Sequence, residues 1–162
     1  MSPGLAELCG WIKAAGLLCK LDTNGSRPDV LEEILQRGLV EAIAMDIKAP
    51  PEKYDTVAGV HVDVAAIERS IRLLKGGTVE YVFRSTVCRA FHTGGDIEAM
   101  ARWIRGAKRY VLQNFRPRNC LDPEMEKVEP FEVGQLQEFA ERARKYVGVC
   151  VVQGYETVHP VG

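Results

Sequence analysis

No apolar run in this chain of 162 residues approaches the roughly 20 needed to cross a bilayer. The opening Met1-Ser2-Pro3-Gly4 lacks the charged and hydrophobic regions of a signal peptide. The expected location is the cytoplasm. An excess of charge is missing too. Twenty-one basic residues against 22 acidic ones leave a net charge of −1. The two signs are interspersed, so neither nucleic acid nor an anionic membrane finds an electrostatic footprint. Cysteine is sparse and scattered: Cys9, Cys19, Cys88, Cys120 and Cys150 are never closer than ten residues, which excludes the local spacings of zinc and iron-sulfur sites. Cys9, Cys19 and Cys150 sit in apolar segments, where a reduced cysteine acts as a small hydrophobe. Cys88 and Cys120 fall just beyond strands and are more open to a chemical role. His61, His92 and His159 read as solvated residues of loops and tail. No Ser/His/Asp order, phosphate-cradling glycine loop or GxGxxG is present, and Gly76-Gly77 and Gly94-Gly95 read as helix boundaries.

What the chain does contain is a repeated alternation. Ser2 with Pro3 caps a helix carrying Leu5, Leu8, Cys9, Ile12 and Ala15. A strand from Leu17 to Asp22 follows, then a helix with Val30, Leu31, Ile34 and Leu35 that stops at Gly38. A strand Ala42 to Ile47, a loop with Pro50-Pro51, and a helix capped by Asp63 come next. A strand Glu80 to Val87, a helix from Thr93 or Asp96, and a strand Arg109 to Asn114 continue the pattern. After a loop from Phe115 to Pro130, a helix with Leu136, Phe139 and Ala143 and a strand Val147 to Val152 close it. Strands separated by helical crossovers predict an α/β fold, a single domain over residues 1–162 with a mostly parallel sheet of about five strands. Five strands cannot close an eight-stranded barrel.

The strands end in polar residues: Asp22-Thr23-Asn24-Gly25, Asp46-Ile47-Lys48, Arg84-Ser85-Thr86 and Gln113-Asn114-Phe115-Arg116. In parallel α/β proteins, that rim is where ligands bind. Asp22 and Asp46 close consecutive units, so adjacent strands about 4.8 Å apart would bring their carboxylates together. Two such carboxylates bind a cation, share a proton, or accept hydrogen bonds from a ligand. The structural alternative is equally weighted: Asp22 caps its turn and Asp46 pairs with Lys48. Arg84 lies inside an apolar strand and needs a partner, with a salt bridge to Asp46 or Asp22 the simplest one. Thr86 shares its face. Gln113 and Arg116, with Asn114 or Phe115 according to strand phase, complete a polar wall suited to a zwitterionic, hydroxylated small molecule.

These residues also carry a family resemblance. Leu21-Asp22-Thr23-Asn24-Gly25, Met45-Asp46-Ile47-Lys48, Tyr54 with Gly59-Val60, Phe83-Arg84-Ser85-Thr86-Val87 and Tyr110 to Pro117 resemble, in order and spacing, the radical S-adenosylmethionine enzymes that activate glycyl radical enzymes. The likeness is greatest to the anaerobic ribonucleoside-triphosphate reductase activating proteins. It implies the C-terminal part of a partial (β/α) barrel. In that family, a Cys-x3-Cys-x2-Cys loop holds a [4Fe-4S] cluster and a Gly-Gly-Glu motif holds the methionyl amine. Neither motif is in this sequence, whose start resembles the stretch just after the second. The resemblance implies that Asp22, Thr23 and Asn24 line the S-adenosylmethionine and cation region and that Asp46 and Lys48 meet its ribose or carboxylate. Arg84, Thr86, Gln113 and Arg116 would face the ligand or the substrate peptide, and the partner would be a glycyl radical enzyme such as anaerobic ribonucleotide reductase. No residue is carried over as catalytic or as a metal ligand.

Three functions are expected in this order. The first is the C-terminal portion of such an activase, not competent alone, with S-adenosylmethionine bound weakly and the [4Fe-4S] cluster expected only in a complete protein. The second is a non-catalytic module binding a small molecule or partner. The third, an aldolase-like barrel, is disfavoured because no lysine is read within a strand. An in-frame Cys-x3-Cys-x2-Cys upstream of Met1 would distinguish the first from the second. The strand Leu17 to Asp22 is expected at an unprotected sheet edge and available for self-association.

Overall fold

The structure, a computed structural model, describes residues 4–154. The expected Ser2 cap with Pro3, and His159, lie outside the described residues. Eleven regular elements alternate along the chain: α1 Leu5–Ala14, β1 Lys20–Thr23, α2 Pro28–Gln36, β2 Ala42–Asp46, α3 Tyr54–Ala58, α4 Val64–Gly76, β3 Glu80–Val87, α5 Gly94–Trp103, β4 Arg109–Asn114, α6 Val133–Ala143 and β5 Val149–Gln153. The five strands form one parallel sheet in the order β1-β2-β3-β4-β5. Each strand thus lies beside its predecessor, as a (β/α) barrel requires, and among the described residues β1 and β5 are the edges.

Local chemistry sets the helix starts. The Asp63 carboxylate accepts the N–H groups of Ala65 and Ala66, capping α4. Thr93 and Asp96 form a reciprocal capping box at α5. Along the strands, alternate side chains divide the sheet. Ile43, Met45, Tyr81, Phe83, Tyr110, Leu112 and Cys150 are buried and share one core with Ile34, Ile67, Leu74, Ile97, Met100, Leu136 and Ala140 of the helices. The opposite face stays open. There Lys20, Glu80, Val82, Arg84, Arg109, Val111, Gln113 and Gln153 line a shallow concavity of about 310 Å³. One polar chain crosses the core: the Ser85 hydroxyl donates to the Ile47 carbonyl at 2.5 Å and lies 2.7 Å from the fully buried Tyr110 hydroxyl. With the Ser85 proton committed, Tyr110 is the donor of that second bond. Burial pushes the Tyr110 phenol well up from its ordinary value.

The elements at the chain's start depart from expectation. β1 begins at Lys20, not Leu17. Gly16 takes a left-handed conformation (φ 75°), and the Leu17 N–H bonds to Ile12, so the chain closes α1 before it can enter the sheet. Leu17 and Leu18 are left 63% and 84% exposed at the surface. The short helix α3 and a 3-10 turn at Pro51–Lys53 occupy what the sequence offered as a loop. A second 3-10 turn, Pro123–Lys127, lies in the loop before α6. β2 ends at Asp46 and β5 runs from Val149 to Gln153, each within a residue or two of the expected bounds.

Gly25 fixes the turn after β1. Its φ is +75°, and a Cβ there would stand 2.1 Å from Cε and 3.0 Å from Sδ of Met45, a fully buried side chain. Its carbonyl accepts the Ser70 hydroxyl of α4 at 2.7 Å. Gly25→Ala should therefore lower stability by about 1–3 kcal/mol through strain and overpacking. Urea unfolding reads this as a lower midpoint with an unchanged m-value; an unchanged midpoint would refute it.

Candidate functional site

Arg84 is the centre of the site. It lies opposite Asp46 in the β2–β3 register, and its Nε and Nη2 each approach Asp46 Oδ1 at 2.9 Å. Its Nη1 donates to Asp22 Oδ2 at 3.1 Å. Lys20 adds a second cation to Asp22, Nζ to Oδ1 at 2.8 Å. The salt bridge expected to Asp46 or Asp22 is thus made to both. The pairing of Asp22 with Asp46 differs from expectation in its geometry. Asp22 stands opposite Ala44, two residues short of Asp46, an offset of about 7 Å along the strand. The carboxylates are not abreast; Arg84 spans the gap between them. Asp46 does not pair with Lys48, nor does Asp22 cap its turn.

The charges tune one another. The hydrogen bond from Lys20 is the largest influence on the Asp22 carboxyl, and with help from Arg84 it outweighs the opposing effect of burial and holds the group below its ordinary value. Burial alone would lower the Arg84 guanidinium, yet the ion pairs with Asp46 and then Asp22 leave it raised.

The other expected site residues divide by position. The Thr23 hydroxyl accepts the Gly25 N–H at 3.1 Å, and Asn24 Oδ1 accepts from the Ser26 N–H and hydroxyl at 3.0 and 2.8 Å. Both shape a turn whose mouth, of about 380 Å³, also meets Asp22, Arg27 and Asp46. Lys48 is exposed and makes no ion pair among the described residues. With Asp46, Thr86, Phe91, His92 and Phe115 it borders a second hollow of about 170 Å³. Thr86 and Gln113 are register partners on the open face. Strand phase is settled by Asn114: its amide donates to the Phe131 carbonyl at 2.8 Å and accepts the Phe131 N–H at 3.1 Å. Asn114 therefore ties down the loop before α6, and Phe115 takes the interior position. Arg116 lies past the end of β4, exposed, in contact with none of the charged trio.

Sequence reasoning misplaced His92. It is buried (4% exposed), not solvated. Its Nδ1 accepts the Cys88 N–H at 3.1 Å, leaving Nε2 to donate to the Lys48 carbonyl at 2.8 Å. The imidazole so joins the ends of β2 and β3. The sequence signal was its place between a strand end and the Thr93 cap. His61 is exposed as expected and pairs with Asp55 at 2.8 Å, which raises its pKa. Lys20 corrects a further expectation, since it does lie in a strand. It is exposed and ion-paired, not enclosed in the apolar pocket that Schiff-base chemistry uses. Cys88 is buried and its thiol is pushed up by that burial, as is Cys150, up to about 12; both fit a structural role.

A curated protein of Methanocaldococcus jannaschii, provisionally named a glycyl-radical enzyme activating enzyme, is 28% identical over 151 residues, 91% of this chain and 63% of that protein. The likeness spans most of this chain but less than two thirds of that protein's length. In three dimensions the chain matches a crystallised domain of pyruvate-formate lyase-activating enzyme from Bacteroides vulgatus, with a TM-score of 0.72, 16% identity, and coverage of 93% of this chain and 89% of that domain. The likeness shows a shared parallel α/β fold. No family model matches the chain.

The depressed Asp22 carboxyl ties stability to pH. A carboxyl whose folded value lies below its ordinary 3.8 contributes stability that is present above that value and lost as pH falls through the folded one. Lys20→Met should therefore raise the Asp22 pKa in a carbon-detected NMR titration and flatten the acid limb of the stability profile. An Asp22 titration that is the same in both proteins would refute the pairing.

Proposed function

We propose that this chain is the ligand-binding portion of a radical S-adenosylmethionine enzyme that activates a cytoplasmic glycyl radical enzyme, such as anaerobic ribonucleotide reductase. The observation that carries the reading is the meeting of Asp22, Asp46 and Arg84 at the carboxyl ends of β1, β2 and β3 beside an open concave sheet face. S-adenosylmethionine is zwitterionic and hydroxylated, and the polar groups of the rim are suited to its ribose and carboxylate. Asp46 suits a ribose hydroxyl pair, Lys48 a carboxylate, and Thr86 and Gln113 further hydroxyl or amide contacts. Asp22, Thr23 and Asn24 line the adjoining mouth toward a cation. Arg84 and Arg116 face the ligand or the glycine-bearing segment of the partner. When bound, the nucleoside supplies the 5'-carbon from which a hydrogen-abstracting radical is made. This chain's residues bind it, orient it and balance its charge.

The same donor set does not fit a [4Fe-4S] cluster. Cys9 and Cys19 lie together under α1, Cys150 lies in the core, and among the described residues no three His, Cys, Asp or Glu side chains are grouped to hold a metal. That disagreement favours a second reading, a binding module derived from the same fold that does not itself turn over. The edge of β1 adds a surface for a second copy of the chain, with Trp11, Leu17 and Leu18 70%, 63% and 84% exposed beside it.

Calorimetry with S-adenosylmethionine should give weak, saturable binding that falls about tenfold in Lys48→Met, equivalent to about 1.4 kcal/mol. Absence of binding would refute the ligand assignment. After anaerobic treatment with iron and sulfide and reduction by dithionite, the chain should release no 5'-deoxyadenosine. Release of that nucleoside would overturn the view that this portion lacks the cluster's ligands. Sedimentation equilibrium should show dimers at high micromolar concentration that Leu18→Lys disperses; a monomer throughout would remove the self-association surface.

A further inference from the structure

Cys9 and Cys19 come from different elements, yet their sulfurs touch at 3.7 Å. Cys9 lies on α1, and Cys19 immediately precedes β1. Both are buried, at 2% and 7% exposure. Glu41 holds the two sides in place. Its carboxylate accepts the Cys19 N–H at 2.6 Å, its own N–H donates to the Cys19 carbonyl at 2.9 Å, and it pairs with Lys13 of α1 at 3.2 Å. Lys13 also donates to the Gly38 carbonyl. The helix and the strand entrance are therefore anchored to one residue at the start of β2, so the thiols are held as neighbours by the backbone around them.

We propose that Cys9 and Cys19 form a covalent modification site, a dithiol that a small two-electron oxidant of the peroxide class closes to an intramolecular disulfide. Cys19, the more exposed of the two, meets the oxidant first. Its sulfur attacks one peroxide oxygen, the O–O bond breaks, and a sulfenic acid and one water result. The Cys9 sulfur then displaces the sulfenic oxygen, which leaves with the Cys9 proton as a second water while the S–S bond forms. Two thiols lose two protons and two electrons, and with these one peroxide becomes two waters. Because the sulfurs are already in contact, closure to a bond of about 2 Å needs side-chain rotation and a small shift of α1. Burial, and then the contact with Cys19, pushes the Cys9 thiol up, in keeping with its role as the second sulfur to react. The bond closes the loop from residue 9 to residue 19 and pins α1 to the edge strand that carries Asp22 and Thr23. It restricts the unfolded chain and so raises stability.

The test treats the folded 162-residue chain with hydrogen peroxide, confirms by circular dichroism that it stays folded, then denatures it and alkylates free thiols. The expected result is a mass loss of about 2 Da, a Cys9–Cys19 linked peptide that dithiothreitol cleaves, and a rise of several degrees in Tm. In Cys9→Ala, dimedone should trap a sulfenic acid at Cys19. Recovery of Cys9 and Cys19 both alkylated, while peroxide has oxidised Cys120, would overturn the proposal. So would pairing of either with another cysteine, or a linked peptide formed only in denaturant.

Discussion

A guanidinium that projects from the middle of a sheet strand must be neutralised where it stands, and the arrangement around Arg84 follows from that need. Unpaired, it would cost several kcal/mol. Its neighbours on the same sheet face are Asp46 directly opposite and Asp22 one strand further, and it bonds to both. This ties the carboxyl ends of β1, β2 and β3 by charge as well as by the backbone ladder. It also explains how Asp22 and Asp46 remain close with their registers offset by two residues. The pairs are partly exposed, so their worth lies more in fixing geometry than in net stability.

Much of this was legible because periodicity and punctuation carry it. The α-β order, β3 and β4, the Asp63 and Thr93 caps, and the need for a partner at Arg84 all follow from local pattern. What escaped depended on tertiary context. Leu17 and Leu18 have the letters of a strand, but the left-handed Gly16 turns the chain before they enter the sheet. His92 looks like any loop histidine until the fold brings the Lys48 carbonyl, 44 residues away in sequence, to its Nε2. The choice between Asn114 and Phe115 was a question of phase, and only the loop around Phe131 decides it. Carboxylate positions were legible as strand ends; their stagger was not, because register is set by pairing and not by where an apolar run stops.

The two faces of the sheet divide the labour. On one, bulky residues interlock with the helices and are buried, and the Ser85–Tyr110 pair among them is satisfied through the Ile47 carbonyl. On the other, small aliphatic residues such as Ala44, Val82 and Val111 alternate with long polar ones, leaving a trough instead of a packed interior. Among the described residues the sheet is covered by helices on one side and its outer strands have no further partner, which holds the chemistry of its rim within reach of a large partner as readily as of a small molecule.

The segment that bears Lys48 has one further property. Its main chain is held at every polar atom: Ile47 N–H to the Arg84 carbonyl at 2.8 Å, Ile47 C=O by Ser85, Lys48 N–H to the Tyr54 hydroxyl at 3.4 Å, and Lys48 C=O by His92. The side chain beyond is exposed and swings freely on four methylenes. When an anion is captured there, the only freedom surrendered is that of the side-chain torsions, at most about 2 kcal/mol. The backbone has been frozen in advance by folding, so contact with an anion at this position is gained without a loop having to settle.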